Sequence, residues 1–138
     1  MIDIELRLNT PADESFIYDS WLKSYQEQNR DFKRMGIRTY YAGYKKILMG
    51  ILDSALVVIA CNPDDKDQIY GFIVAEADAD IVHYLYVKYT FRKLGIARRL
   101  LLNVHPELRE KPLIHTFANP ISDKKQSEYL LTYNPFLR

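Results

Sequence analysis

The chain opens with Ile4, Leu6 and Leu8 alternating with charged or polar neighbours, the period-2 pattern of a half-buried strand. Thr10-Pro11-Ala12-Asp13 then supplies an N-cap hydroxyl, a proline at the first helical position and a carboxylate at the third. The helix this starts has Phe16, Ile17, Trp21 and Tyr25 on its apolar face. From Gln26 to Thr39 the chain turns polar, with Gly36 as a breaker, which predicts a loop or broken helix in the position of a lid. A second helix is predicted from Tyr40 to about Asp53, where Tyr41, Tyr44, Ile47, Leu48, Ile51 and Leu52 recur at helical spacing.

Three strands follow, Ala55 to Cys61, Ile69 to Ala77 and Ile81 to Val87, each rich in β-branched or aromatic residues. The turn-forming runs Asn62-Pro63-Asp64-Asp65 and Asp78-Ala79-Asp80 separate them, so an antiparallel meander is expected. Ile96, Leu100, Leu101 and Val104 mark a helix ending before Pro106, and Leu113 to Phe117 reads as a strand. In the tail, Ser122 to Leu131 has helical character and Tyr133 to Phe136 that of a short final strand. The fold class is therefore α/β of the α+β type, a single domain over residues 1–138, with a mainly antiparallel mixed sheet, helices on both faces and one strand-helix-strand crossover.

Composition narrows the chemistry. Nineteen Lys and Arg against eighteen Asp and Glu give a net charge of +1, so no global field argues for nucleic acid or an anionic membrane. The single cysteine, Cys61, sits in an apolar run and reads as a buried thiol; a reducing cytoplasm fits a chain without an internal disulfide. The N-terminus is too acidic and too short of apolar residues for a signal peptide or a span. His83, His105 and His115 fall on different elements, which predicts no metal site.

The informative stretch is Leu85-Tyr86-Val87-Lys88-Tyr89-Thr90-Phe91-Arg92-Lys93-Leu94-Gly95-Ile96-Ala97-Arg98-Arg99. A strand ends at Val87, a basic turn follows, and a helix opens near Gly95, where several amide N–H groups lack intrahelical partners and the dipole favours an anion. Lys88, Arg92, Lys93, Arg98 and Arg99 bring five cations to that end with no acid between them. Gly95 admits a close backbone approach and Ala97 keeps the next turn clear. Neither a Gly-x-x-x-x-Gly-Lys-Ser/Thr loop nor a Gly-x-Gly-x-x-Gly run occurs.

Val-x-x-x-Phe-Arg-x-x-Gly-x-Ala before an apolar helix resembles the acyl-CoA signature of the GNAT superfamily, Arg/Gln-x-x-Gly-x-Gly/Ala, and the element order matches that fold over roughly residues 1–120. The resemblance implies an acetyl-CoA-dependent N-acetyltransferase acting on a primary amine, small molecule or protein. It implies that Leu85, Tyr86 and Val87 contact the pantetheine arm, that Arg92, Lys93, Leu94, Gly95, Ile96, Ala97 and Arg98 cradle the pyrophosphate, and that Asn119 touches the cofactor. His83 is the implied base, as in arylalkylamine N-acetyltransferases, whose segment is similar to His-x-Leu-x-Val here; its strand phase with Ile81, Leu85 and Val87 equally suits a core histidine. Where other members carry a glutamate, this chain has Ile81, and Glu76 is the second-choice base. Tyr133 and Tyr129 are the candidates to protonate the leaving thiolate.

Tyr40, Tyr41 and Tyr44 suit either an acceptor wall or the core. After Asn119 nineteen residues remain, too few for a helix and two long strands, which leaves the acceptor side for a partner chain, such as a second copy in a homodimer, to complete. Two other classes stay open: a CoA-binding or protein-interaction module on the same fold without turnover, and a nucleic-acid binder using Lys88 to Arg99 with Tyr84, Tyr86 and Tyr89.

Overall fold

The computed structural model describes residues 2–138. Six strands lie in chain order in one sheet: β1 Glu5–Leu8, β2 Leu56–Asn62, β3 Asp65–Glu76, β4 Ile81–Val87, β5 Leu113–His115 and β6 Leu131–Tyr133. β1 to β4 pair antiparallel, whereas β4 with β5 and β5 with β6 pair parallel. The helices among the described residues are α1 Glu14–Gln28, α2 Ile37–Leu52, α3 Ile96–Val104 and α4 Pro120–Tyr129. None is long and apolar enough to cross a membrane.

Each face of the sheet carries its own core. On one face α1 and α2 bury Ile17, Trp21, Tyr25, Tyr40 and Leu48 against Val57, Ile59, Phe72, Val74 and Tyr84. On the other, Ile96, Leu100 and Val104 of α3 cover Val58, Ala60, Ile73, Ala75 and Val82. Tyr40 is fully buried, and its hydroxyl donates to the Leu22 carbonyl at 2.6 Å, so of the two readings open to it the core is the one realised. At the entry to α1, Asp13 accepts from the Thr10 N–H at 2.7 Å and forms a two-pronged pair with Arg7 at 2.7 and 2.9 Å. The Arg7 guanidinium, with the Thr10 donors, holds the Asp13 carboxyl below the usual carboxylate range.

Several expected boundaries shift: β3 begins at Asp65 rather than Ile69, its first four residues exposed, and the tail helix is Pro120–Tyr129 rather than Ser122 to Leu131. α2 begins at Ile37 rather than Tyr40, because the polar loop tightens into a 3₁₀ turn, Arg30–Arg34, that leaves only Met35 and Gly36 before the helix. The strand expected to reach Phe117 ends at His115, since beyond it the chain turns toward the α4 cap. The final strand is Leu131–Tyr133, not Tyr133 to Phe136; Pro135 starts a 3₁₀ turn instead, as a residue without an N–H suits.

Candidate active site

β4 pairs with β5 only over its first two residues. Ile114 N–H donates to the Asp80 carbonyl at 2.9 Å and Thr116 N–H to that of Val82 at 3.2 Å, and the paired residues end at Val82 with His115. Beyond that point the strands part, and a cleft of about 580 Å³ opens between them, within the range of small-molecule sites.

The splay has a local cause in β4. Val74 pairs with Tyr84 while the next residue, Ala75, pairs with Val82, so His83 is an extra residue, a β-bulge. A bulge resets the side-chain alternation. Val82 packs with Val87 and Leu85 on the α3 face, and Tyr84 stacks on Trp21 on the other, with ring centroids 5.0 Å apart. The phase that put His83 with Leu85 and Val87 is therefore broken at His83 itself.

Past the bulge, Lys88 N–H donates to the Tyr70 carbonyl on β3 at 2.8 Å, so the main-chain groups of Val87 and Leu85 turn the other way, to the cleft. The Val87 carbonyl takes the Arg92 Nε–H at 2.9 Å, which folds the basic turn back onto the strand. Gly71 lets β3 come this close: a methyl group there would stand 2.3 Å from the Tyr86 carbonyl oxygen.

At the other end of the turn, Gly95 caps α3 with φ +82°, a left-handed conformation that L side chains resist. Nothing lies within 4 Å of where a side chain would project, so glycine is needed here for its dihedral, not to relieve crowding. The first helical hydrogen bond runs from Arg99 N–H to the Gly95 carbonyl at 3.1 Å, which leaves the Ile96, Ala97 and Arg98 amides ahead of the helical ladder. Unpaired donors, the positive end of a helix dipole, and Arg92, Lys93 and Arg98 on the cleft wall fit a diphosphate.

The cleft lining joins most of the residues singled out in the sequence: His83, Leu85, Tyr86, Val87, Arg92, Lys93, Gly95, Ile96, Ala97, Arg98, Asn119 and Tyr129. Leu94 and Tyr133 do not line it. Asn119 also caps α4, its side-chain oxygen accepting from the Ile121 and Ser122 amides at 2.9 Å. Tyr133 instead lies against His115, ring centroids 5.4 Å apart.

His83 is 2% exposed and held at both nitrogens. Nε2 lies 3.1 Å from a Glu76 carboxylate oxygen and Nδ1 2.8 Å from the Thr116 hydroxyl. A carboxylate only accepts, so Nε2 carries the proton and Nδ1 accepts from Thr116. Burial pushes the His83 pKa below the ordinary histidine value, against the opposing pull of Glu76.

Sequence reasoning missed Thr116, Gln28 and His115. Thr116 is signalled only by its place just after β5, since its link to His83 spans 33 residues. Gln28, the last residue of α1, lines the cleft with a buried, partnerless Oε1. Among the described residues no group of three or more His, Cys, Asp or Glu side chains converges as a metal site would.

No protein-family profile matches the chain, and no curated protein does. Solved structures do. YjaB from Escherichia coli, in its apo form, is 20% identical with a TM-score of 0.54, covering 76% of this chain and 68% of its own. An acetyltransferase of the GNAT family from Staphylococcus aureus Mu50 is 20% identical with a TM-score of 0.50, over 74% of this chain and 64% of its own. The PaiA N-acetyltransferase from Thermoplasma acidophilum, in complex with coenzyme A, is 20% identical with a TM-score of 0.51, over 74% of this chain and 69% of its own. The chain thus spans about two-thirds of the length of these proteins, and the fold of its sheet and helices is that of the GNAT superfamily.

Proposed function

We propose that this protein is an acetyl-CoA-dependent N-acetyltransferase that acts on a primary amine in a ternary complex. The observation that carries the reading is the cleft at the β4–β5 splay, which ends at the Gly95-capped helix with its free amides and cations. From Val87 back to His83 is four residues of strand, about 13 Å at the usual rise, a span that lets the pantetheine arm bring the thioester to the bulge. The PaiA enzyme of similar fold was solved with coenzyme A, which supports the same ligand here.

Acetyl-CoA supplies the activated acyl group. The amine nitrogen bonds to the acyl carbon, the carbon–sulfur bond breaks, the thiolate leaves with a proton, and the amine's own proton passes to a base. Gln28 marks the α1 end of the cleft, and its free Oε1 suits an incoming N–H. We assign the base to His83: its Nδ1 lone pair, released when the Thr116 hydroxyl turns away, takes the amine proton while the Nε2 proton passes to Glu76, whose partly exposed carboxylate returns it to water. Tyr129, on the cleft wall, is placed better than Tyr133 to protonate the thiolate.

Calorimetry with acetyl-CoA tests the ligand, and thiol release across a panel of primary amines tests turnover. His83→Ala should lower thiol release by at least about a hundredfold, the ordinary contribution of a general base, while leaving CoA affinity within about twofold. The occupied nitrogens of His83 and the presence of Ile81 favour a second reading, a CoA-binding module without turnover. Saturable heat with acetyl-CoA but no thiol release on any amine would select it.

A further inference from the structure

Two imidazoles stand at the closed end of the cleft, and they differ in one respect. His83 spends both ring nitrogens on Thr116 and Glu76. His115, the last β5 residue paired with β4, has neither nitrogen bonded, although it is 5% exposed and both nitrogens are shut off from water. Buried polar atoms are nearly always satisfied, so a ring left with two idle groups on a cleft wall points to a bound molecule that completes it.

We propose that His115 hydrogen-bonds the acyl-thioester end of the bound cofactor, giving an imidazole N–H to the thioester carbonyl. This rests on the acyl-CoA reading and adds to it the group that distinguishes acetyl-CoA from free CoA. Position supports the assignment, because His115 sits opposite Val82 at the vertex of the splay, where the far end of a molecule anchored at Gly95 arrives. Tyr133 lies beside the ring, centroids 5.4 Å apart, and the Phe117 main chain is also near; both nitrogens sit under the cleft surface, so the contact requires the ring to turn about χ2, a torsion that in histidine is broad and two-fold. Burial holds the pKa below the ordinary value, against smaller pulls from the Phe117 main chain and Asp123, which keeps the ring neutral with one donor and one acceptor.

The test is calorimetry of the whole chain with CoA and with acetyl-CoA. His115→Phe should weaken acetyl-CoA on the order of tenfold, the worth of one buried hydrogen bond, and CoA by less than about twofold. Equal weakening of both ligands, or of neither, overturns the proposal. Should the variant not fold, ¹⁵N spectra of the wild-type histidine rings decide: a His115 ring nitrogen that shifts with acetyl-CoA but not with CoA supports it, and one that responds identically to both overturns it. If the wild type binds CoA and these signatures are missing, only the role of His115 fails; if it binds neither thiol nor thioester, the acyl-CoA reading fails with it.

Discussion

The two walls of the cleft are built differently. Its β4 wall belongs to an antiparallel meander whose β2 and β3 strands run 7 and 12 residues, backed on both faces by helices that bury their apolar sides against it. The β5–α4–β6 wall consists of two three-residue strands and a helix with no buried residue. Few buried contacts make for low local stability, so the second wall should open far more readily than the first. On the acyl-CoA reading, a site made this way would pair a stiff anchor for the diphosphate at Gly95 with a pliant flap, which the cofactor itself would tie down.

The contrast would be broken most severely at Gly71, where the stiff wall leaves no room for a methyl group. Gly71→Ala should cost about 3 kcal/mol or more, because the atoms it meets, the Tyr86 carbonyl oxygen at 2.3 Å and Val87 Cα at 3.0 Å, are main chain and cannot rotate aside. Urea unfolding measures this. A change of less than about 1 kcal/mol would mean that β3 and β4 part easily, and that the stiff wall is not stiff.

Acid should act on the seam between the two walls. His83 at the start of β4, His105 after α3 and His115 on β5 are all buried, and burial is the main cause that lowers the pKa of each. Glu76 and Asp80 pull the other way on the first two, and Arg138 and Lys111 add to the lowering. Because the folded pKa lies below the unfolded value of 6.5, the unfolded chain binds more protons in the interval between, and stability falls as pH drops through 6.5 toward the folded values. Each such proton is worth about 1.4 kcal/mol per pH unit. Unfolding midpoints between pH 7.5 and 5 should therefore decline, and His105→Gln should flatten the slope; a profile level across that window would mean that the rings are protonated in the folded protein.

How far the sequence could be read follows the same division. The meander was legible because each strand alternates or runs apolar over five or more residues, and the strand-turn-helix junction at Gly95 was legible because its turn, cations and helix are contiguous. Elements of three residues carry no period, so β5 and β6 could be placed only loosely. The bulge at His83 depends on which β3 residue faces it, and the Thr116 bond on a partner 33 residues away, neither of which local pattern encodes. His115 could be seen as a histidine but not as one without partners.

The pliant wall offers the gentlest test. With no buried side chain, α4 leans on its cap: the Asn119 oxygen takes the Ile121 and Ser122 amides, while the Ser122 hydroxyl closes the turn back to Asn119. Its exposed Lys125–Glu128 pair adds little, as surface ion pairs do. Asn119→Ala should remove about 1 kcal/mol from the helix alone, and so speed amide exchange over 120–129 by about fivefold while exchange in β2 and β3 stays unchanged. Mass-spectrometric hydrogen exchange reads both regions in one experiment, and adding acetyl-CoA should slow the 120–129 peptide selectively, since Ile121, Ser122, Lys125 and Tyr129 line the cleft. If α4 in the wild type exchanged as slowly as β3, or stayed equally fast with the cofactor bound, the two walls would be mechanically alike and the flap would have no part in holding the ligand.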